Sequence, residues 1–179
     1  MTATVTKTLK QTLPGIDAQG LQGLAAKGKS DPGAVRTLKC RTVLEGQFRN
    51  LNYIRNLPAH VVDEPPGLLG KDTAPNPSEA VLAALGSCIA VGIQANATDQ
   101  GIALYGVELE LEADINITGV WGVGDLSDKH VGFSEIRINV HLDADADRQT
   151  LEALVAHADK WSPVANTMRQ PVPTLVSLA

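Results

Sequence analysis

The segment from residue 80 to residue 93 carries no charge and constrains the fold more than any other part of this chain. It follows the tetrapeptide Asn-Pro-Ser-Glu at 76–79, which is typical of a helix start. Asparagine is a favoured N-cap, proline suits the first helical position, and a glutamate three residues after the cap can bond back to it. We expect a helix from this cap to about Gln100, with Gly101 as its stop. Such a helix is apolar nearly all round, so it must be covered on every side.

The remaining segments alternate between strand and helix patterns. Residues 107–117 and 136–142 place apolar side chains at every second position, which is typical of strands with one buried face. The other expected strands are 35–44, 47–56, 60–63 and a last edge strand at 173–178, and the other expected helices are 147–161 and 163–168. Sequential alternating strands favour antiparallel pairing. This order predicts an α+β fold with antiparallel sheet and segregated helices. A second copy of the chain is the simplest cover for the far side of the apolar helix.

The first 34 residues of the chain differ from the rest in composition. Glycine, lysine, serine and aspartate are frequent there, and Asp-Pro-Gly at 31–33 is a turn signal. A short amphipathic helix capped by Asp17 is expected within it. We therefore predict a partly helical N-terminal extension at 1–34 and a single domain at 35–179.

Composition narrows the function classes. A net charge of −5, with acids spread along the chain, gives no reason to expect a nucleic acid or an anionic membrane as partner. The uncharged run at 80–93 is shorter than a bilayer span needs, and the first residues lack the apolar run of a signal peptide. Two widely separated cysteines form no disulfide framework, which favours a reducing, cytoplasmic compartment. The four histidines lack metal-ligand spacing, so we expect neither a metal nor a cofactor.

Cys88 lies in the middle of the predicted apolar helix and admits two interpretations. Free cysteine is among the most buried residue types, so packing alone can explain it. Alternatively it is a reactive thiol, which needs solvent access and a cation or helix N-terminus that favours the thiolate. Cys88 is about three turns inside its helix, so the helix dipole helps little and a cation from another element is required.

Five short motifs in a fixed order indicate a family. They are Val-Asp-Glu-Pro at 62–65, Pro-Asn-Pro-Ser-Glu at 75–79, Leu-Ala-Ala-Leu-Gly-Ser-Cys at 82–88, Ser-Pro-Val-Ala-Asn-Thr at 162–167 and Pro-Val-Pro at 171–173. Together they resemble the OsmC-like family, which includes the osmotically inducible protein C and the organic hydroperoxide resistance proteins. The resemblance covers about residues 36–179 and leaves the extension unassigned.

The resemblance implies a fold and a chemistry. The fold is an intertwined homodimer in which curved antiparallel sheets surround two central helices. Typical members are thiol peroxidases, in which a helix cysteine attacks the peroxide and becomes a sulfenic acid. A second cysteine then closes a disulfide, which a dithiol such as a lipoylated protein reduces. An arginine from an early strand and a glutamate near the start of the first central helix hold the thiolate.

The cysteines of this chain match that pattern in part. Cys88 matches the attacking cysteine through its Gly-Ser-Cys context. The resolving cysteine would fall at Ser162, and a hydroxyl cannot form a disulfide. Ser162 is explained equally by capping a short helix that opens at the following proline. Cys40, in a predicted strand, is either a residue on the inner face of the sheet or a substitute resolving thiol.

The charged residues of the implied site match less closely. The family's peroxidases carry their glutamate directly after the Asn-Pro pair, where this chain has Ser78, and Glu79 follows one place later. One residue is about 100° of helix rotation, and a capping role alone also explains Glu79. Arg49 and Arg55 are both candidates for the arginine, and their spacing does not separate them.

The sequence therefore predicts thiol-dependent reduction of organic hydroperoxides by Cys88, assisted by Arg49 or Arg55 and by Glu79. The partners are a second copy of the chain, an organic hydroperoxide and an external thiol or dithiol reductant. The alternative is a redox-inactive OsmC-like dimer that binds a small apolar ligand at its interface, with Cys88 as a buried core thiol.

Overall fold

The computed structural model describes residues 10–119, 121–123 and 131–179. The chain divides into two compact units. The first, which we call the three-stranded unit, comprises Ala25–Leu85. The second, the hairpin unit, comprises the described residues up to Leu24 together with Gly86–Ala179. Small antiparallel sheets and separate helices confirm the predicted α+β class.

The three-stranded unit contains an antiparallel sheet with the strand order β1-β2-β3. The strands are β1 (Arg41–Gly46), β2 (Arg49–Tyr53) and β3 (His60–Val62). Gly46 and Gln47 turn the chain between β1 and β2 with positive φ angles of 153° and 51°, at the bend expected from the sequence. The predicted first strand starts too early, since residues 35–40 form no strand and are exposed. Arg41 pairs with Tyr53, the last residue of β2, so β2 offers no partner to the chain before Arg41.

Two helices begin at the caps that the sequence predicts. In α1 (Ala18–Ser30), the backbone N–H of Gln19 donates to the Asp17 carboxylate at 3.1 Å. In α2 (Pro77–Asp99), the N–H of Glu79 donates to Asn76 Oδ1, and Glu79 Oε2 accepts from the N–H of Asn76, both at 2.8 Å. This reciprocal pair satisfies two backbone donors that the helix itself leaves open.

Helix α2 buries one face and exposes the other. Its buried side chains recur every four residues, at Leu85, Ile89, Ile93 and Ala97. Val91, on another face, is 68% exposed. The helix is 23 residues long, and the uncharged run at 80–93 is the middle part of it. By length and composition alone α2 could cross a membrane, a test that buried core helices also pass.

The hairpin unit takes its name from two long antiparallel strands, β4 (Leu104–Ile115) and β5 (Phe133–Ala144). Leu109 pairs with Val140 and Leu111 with Ile138, so the apolar residues of both strands share one half-buried face. The acidic residues of β4 alternate with them and are exposed. The period-two pattern is therefore confirmed from Val107 to Ala113 and from Ile136 to Leu142. Its predicted continuation to residue 117 is wrong, because β4 ends at Ile115, which is 37% exposed, and Ile117 is 63% exposed in a short 3-10 helix.

Two further helices follow the hairpin, α3 (Arg148–Trp161) and α4 (Pro163–Arg169). Asp147 caps α3 by accepting from the N–H of Thr150 at 2.8 Å. Leu154 and Ala158 are the buried residues of α3, at 1% and 2% exposure. Ser162 ends α3 and caps α4, with Pro163 at the first helical position of α4, as the sequence predicts.

Part of the predicted extension is attached to the hairpin. The N–H of Leu13 donates to the carbonyl of Leu104 at 2.7 Å, and Lys10 forms an ion pair with Asp143. Lys10 also lies 5.8 Å from the centre of the Tyr105 ring. These contacts fix residues 10–13 against the end of the hairpin where β4 begins and β5 ends.

The prediction of a last strand at 173–178 is wrong. Residues 171–179 form no strand, and Leu175, Val176 and Leu178 are more than nine-tenths exposed. A strand exists only where a neighbouring strand accepts and donates its ladder of hydrogen bonds. The two described sheets contain β1 to β3 and β4 with β5, and neither includes these residues.

Candidate active site

Helices α2 and α3 lie close together where two small residues meet. A Cβ placed on Gly92 would lie 3.0 Å from Ala158 Cβ and 3.2 Å from Ala158 Cα, closer than ordinary contact. Glycine inside a helix costs about 1 kcal/mol relative to alanine. The close approach of α3 at this position, which a larger side chain would obstruct, offsets this cost.

One helical turn from this contact, the structure brings Cys88 and Ser162 together. Cys88 precedes Gly92 by four residues on α2, and Ser162 follows Ala158 by four residues on the other helix. Ser162 Oγ lies 3.1 Å from Cys88 Sγ, within hydrogen-bond reach of sulfur. Ser162 is 2% exposed, whereas Cys88 is half-buried and free of any disulfide. The two positions that the family resemblance pairs are therefore adjacent, with oxygen in place of the second sulfur.

Ser162 is held in place by the junction between α3 and α4. The N–H of Ala165 donates to Ser162 Oγ at 3.1 Å. The amide of Asn166 donates to the carbonyls of Ser162 and Lys160 at 2.8 and 3.0 Å. Arg169 forms an ion pair with Asp159 at 2.6 Å across the same junction. The hydroxyl thus has little freedom to leave the sulfur.

Arg49 belongs to a chain of polar contacts in the three-stranded unit. Its Nε donates to Glu45 at 2.7 Å, and its Nη1 donates to Thr73 Oγ1 at 2.8 Å. Thr73 Oγ1 in turn donates to Asp63 at 2.7 Å. These two hydrogen bonds hold the Arg49 side chain at the start of β2.

Arg55 and Glu79 also lie in this unit. Arg55 is exposed in the turn after β2, with a positive φ of 54°. Glu79 has its carboxylate on the N–H of Asn76, the capping interaction already described. Cys88 lies in the hairpin unit. The convergence of Arg49 or Arg55 and of Glu79 on Cys88 stays a prediction.

The second cysteine, Cys40, is free and exposed. It lies one residue before β1, so the prediction of a strand residue facing the inner surface of the sheet is wrong. Its sulfur is 4.0 Å from Thr42 Oγ1. Its use as a substitute resolving thiol stays a prediction.

Asp63 anchors the loop that leads to α2. Its side chain is 1% exposed and accepts from the N–H of Glu64 at 2.9 Å and from the N–H and Oγ1 of Thr73 at 3.1 and 2.7 Å. The hydrogen bond from the Thr73 hydroxyl, more than any other contact, lowers the pKa of this carboxyl below its usual value of 3.8. The carboxylate form is therefore the one that stabilises the loop.

We expect Asp63→Asn to make thermal stability less sensitive to acid. Because the folded state lowers the pKa of Asp63, its stabilising contribution is present above pH 3.8 and is lost as pH falls through the lower folded value. Asparagine does not titrate, so the gap in melting temperature between wild type and variant should be constant near neutrality and shrink below about pH 4. Circular dichroism melts across this range measure it. A gap that widens on acidification would contradict the assignment.

A groove lies in the hairpin unit between β5 and α3, with a volume of about 630 Å³. Its large apolar lining residues are Ile89, Ile138, Val140, Leu142, Leu151 and Val155. Ile89 directly follows Cys88 on α2. Arg148 and Glu152, paired at 2.7 Å, lie at the charged part of the lining. The groove suits an apolar molecule with a polar end.

Comparison with known proteins places this chain in a family. The family model described as OsmC-like protein matches residues 70–177, which is more than half of the chain. The chain belongs to the OsmC-like family. Membership implies a redox or stress-related role. A comparison with curated protein sequences finds no match.

Solved structures of OsmC-like proteins share the fold. An OsmC-like protein from Mycoplasma pneumoniae matches with a TM-score of 0.64 at 14% identity, over 76% of this chain and 89% of that one. An organic hydroperoxide resistance protein OsmC from Legionella pneumophila, also described as a predicted redox protein, matches with a TM-score of 0.56 at 22% identity, over 76% and 91%. The organic hydroperoxide resistance protein OhrB of Bacillus subtilis matches with a TM-score of 0.50 at 21% identity, over 76% and 93%. At these identities the likeness shows the fold.

Sequence reasoning identified both positions of the Cys88–Ser162 pair but missed the contact between them. The sequence predicts Ser162 as a cap, and the structure confirms that role. The same oxygen also reaches the sulfur. The signal for this contact is the pairing of the two positions that the OsmC-like resemblance implies, although serine cannot form a disulfide.

Proposed function

We propose that this OsmC-like protein reduces organic hydroperoxides with Cys88 as its single peroxidatic cysteine. The observation that carries the proposal is the 3.1 Å contact between Cys88 Sγ and Ser162 Oγ. The two residues occupy the positions that the attacking and resolving residues have in OsmC-like peroxidases. Cys88 is half-buried, so part of its side chain is accessible to solvent. We propose that the protein acts as a cytoplasmic homodimer of the domain at 35–179.

The reaction proceeds in two stages. The Cys88 thiolate attacks the terminal, hydrogen-bearing oxygen of the hydroperoxide, the O–O bond breaks, and the alkoxide takes up a proton and leaves as an alcohol. Sulfur is oxidised by two electrons to a sulfenic acid. Because Ser162 has no thiol, an external thiol condenses with the sulfenic acid, releasing water and forming a mixed disulfide. A second thiol, or the second sulfur of a dithiol, then attacks the external sulfur of this mixed disulfide. The attack releases the Cys88 thiol, and the oxidised reductant leaves as a disulfide.

We propose that an arginine supplies the positive charge that favours the Cys88 thiolate. Arg49 is the better candidate for the guanidinium that favours the thiolate, because its side chain is already held by Glu45 and Thr73. Arg55 occupies an exposed turn. Glu79 would orient the arginine in addition to capping α2, since a carboxylate can bind a guanidinium by two hydrogen bonds.

The first test is the stoichiometry of peroxide consumption by the wild-type protein. Without a reductant, cumene hydroperoxide should be consumed in a burst of one equivalent per chain, leaving Cys88 heavier by one oxygen in the mass spectrum. With dihydrolipoamide the consumption should continue for many turnovers. A protein that consumes no hydroperoxide under either condition would rule out the proposed enzyme.

The groove between β5 and α3 supports the alternative of an apolar-ligand binding protein. A groove of about 630 Å³ with an apolar lining can hold a small molecule without any chemistry at Cys88. The two functions differ in the accessibility of the thiol. If the protein only binds a ligand, we expect iodoacetamide to label Cys88 in the native protein only above about pH 8.5 or not at all. If it is a thiol peroxidase, we expect labelling of Cys88 near neutral pH.

A further inference from the structure

We propose that Ser162 is a positioning residue that holds the Cys88 sulfur as a thiolate through a donated hydrogen bond. The proposal rests on the proposed function only in its consequence for catalysis, because the hydrogen bond itself is measured without any peroxide. It assigns a role to the residue that occupies the resolving position, in place of the disulfide it cannot form.

The direction of the hydrogen bond follows from the contacts of Ser162. A hydroxyl has one proton to donate and two lone pairs to accept with. The N–H of Ala165 donates to Oγ at 3.1 Å and so uses a lone pair. The described acceptor of the hydroxyl proton is Cys88 Sγ, 3.1 Å away. Because Ser162 is 2% exposed, water does not compete for that proton.

The hydrogen bond favours one ionisation state of the sulfur. A thiolate accepts from a hydroxyl strongly, whereas a neutral thiol is a weak acceptor and a weak donor. A hydrogen bond to the charged form of a group shifts its ionisation toward that form. A hydrogen bond to a charged group that is protected from water changes the ratio of thiolate to thiol by about tenfold.

The surrounding helices keep the donor at this distance. The contact between Gly92 and Ala158 sets the spacing of α2 and α3 one turn away, and Asn166 binds the carbonyl of Ser162 at 2.8 Å. The N-cap interaction with Ala165 gives Ser162 a structural role as well. A test must therefore separate loss of the donor from loss of the cap.

The test measures the rate of Cys88 alkylation by iodoacetamide as a function of pH, in a Cys40→Ser background so that one thiol reacts. Ser162→Gly removes the hydroxyl, while glycine at an N-cap costs only about a few tenths of a kcal/mol relative to serine. We expect the rate profile to shift to higher pH, with about tenfold slower alkylation at pH values below the midpoints of both profiles. Ser162→Thr, which keeps a hydroxyl, should restore the wild-type midpoint. Thr167→Ala removes a hydroxyl on the exposed side of α4 and should leave the profile unchanged.

A second variant keeps the test decisive if glycine at 162 disturbs the fold. Ser162→Cys should form a disulfide with Cys88 after one equivalent of hydroperoxide or diamide, because the two side chains are adjacent. Absence of that disulfide, or an unchanged pH midpoint in a folded Ser162→Gly protein, would overturn the proposal. The alkylation profile distinguishes this failure from failure of the peroxidase, which would show only in the consumption of cumene hydroperoxide.

Discussion

Replacing Cys88 by serine should abolish hydroperoxide reduction completely. Serine is close to cysteine in size but carries a hydroxyl that is not ionised near neutrality, so no nucleophile remains to break the O–O bond. The fold should survive, since the side chain is half-buried and changes by one atom. Consumption of cumene hydroperoxide in the presence of dihydrolipoamide, followed by colorimetric titration of the remaining peroxide, measures the effect.

Cys40→Ser is the matched control for this prediction. Cys40 is also a free cysteine, but it is exposed and precedes β1. A single-cysteine mechanism at Cys88 requires that the control keep wild-type turnover. Equal loss in both variants would instead assign Cys40 a part in resolution, and turnover above background in Cys88→Ser would remove Cys88 from the chemistry altogether.

Replacing Gly70 by alanine should give the largest loss of stability among single methyl additions to the loop before α2. A Cβ on Gly70 would lie 1.8 Å from the carbonyl oxygen of Glu64 and 2.3 Å from its carbonyl carbon. Both are backbone atoms, and the same carbonyl accepts from the N–H of Asp72 at 3.0 Å. Relief requires the backbone to move, so we expect a loss of at least about 3 kcal/mol in the free energy of unfolding. Urea unfolding followed by circular dichroism gives this value.

Gly67→Ala provides the comparison within the same loop. No atom lies within 4 Å of a Cβ built at Gly67, so the added methyl meets open space. The change in unfolding free energy should stay within about 0.5 kcal/mol of wild type. Similar unfolding curves for the two alanine variants would mean that the close approach of Gly70 to Glu64 is absent in solution.

The helix caps show how much of the fold local sequence determines. The Asn-Pro-Ser-Glu motif predicts the start of α2 and its capping box, and both are confirmed with hydrogen bonds of 2.8 Å. Asp17, Asp147 and Ser162 cap helices in the same way. These features depend on residues three apart or fewer, which a sequence pattern displays directly. The alternation of β4 and β5 is predictable for the same reason.

Features that depend on distant residues were not predictable in this way. The strand expected at 173–178 has the right residue types, but a strand also needs a partner, and the sequence does not specify one. The contact between Cys88 and Ser162 joins residues 74 positions apart. The contact forms because α2 packs against α3. The sequence around Gly92 does not indicate that Ala158 is its neighbour, or the reverse. The family resemblance was the one guide to that pair.

The closeness of α2 and α3 at Gly92 and Ala158 has a consequence for how the sequence can vary. These two residues carry no reactive group, yet the interhelical distance they set also determines whether an oxygen and a sulfur one turn away can touch. On the proposed function, side-chain size at these chemically inert positions therefore influences the reactivity of Cys88. A variant that enlarges either residue should separate Ser162 Oγ from Cys88 Sγ without altering any atom that reacts.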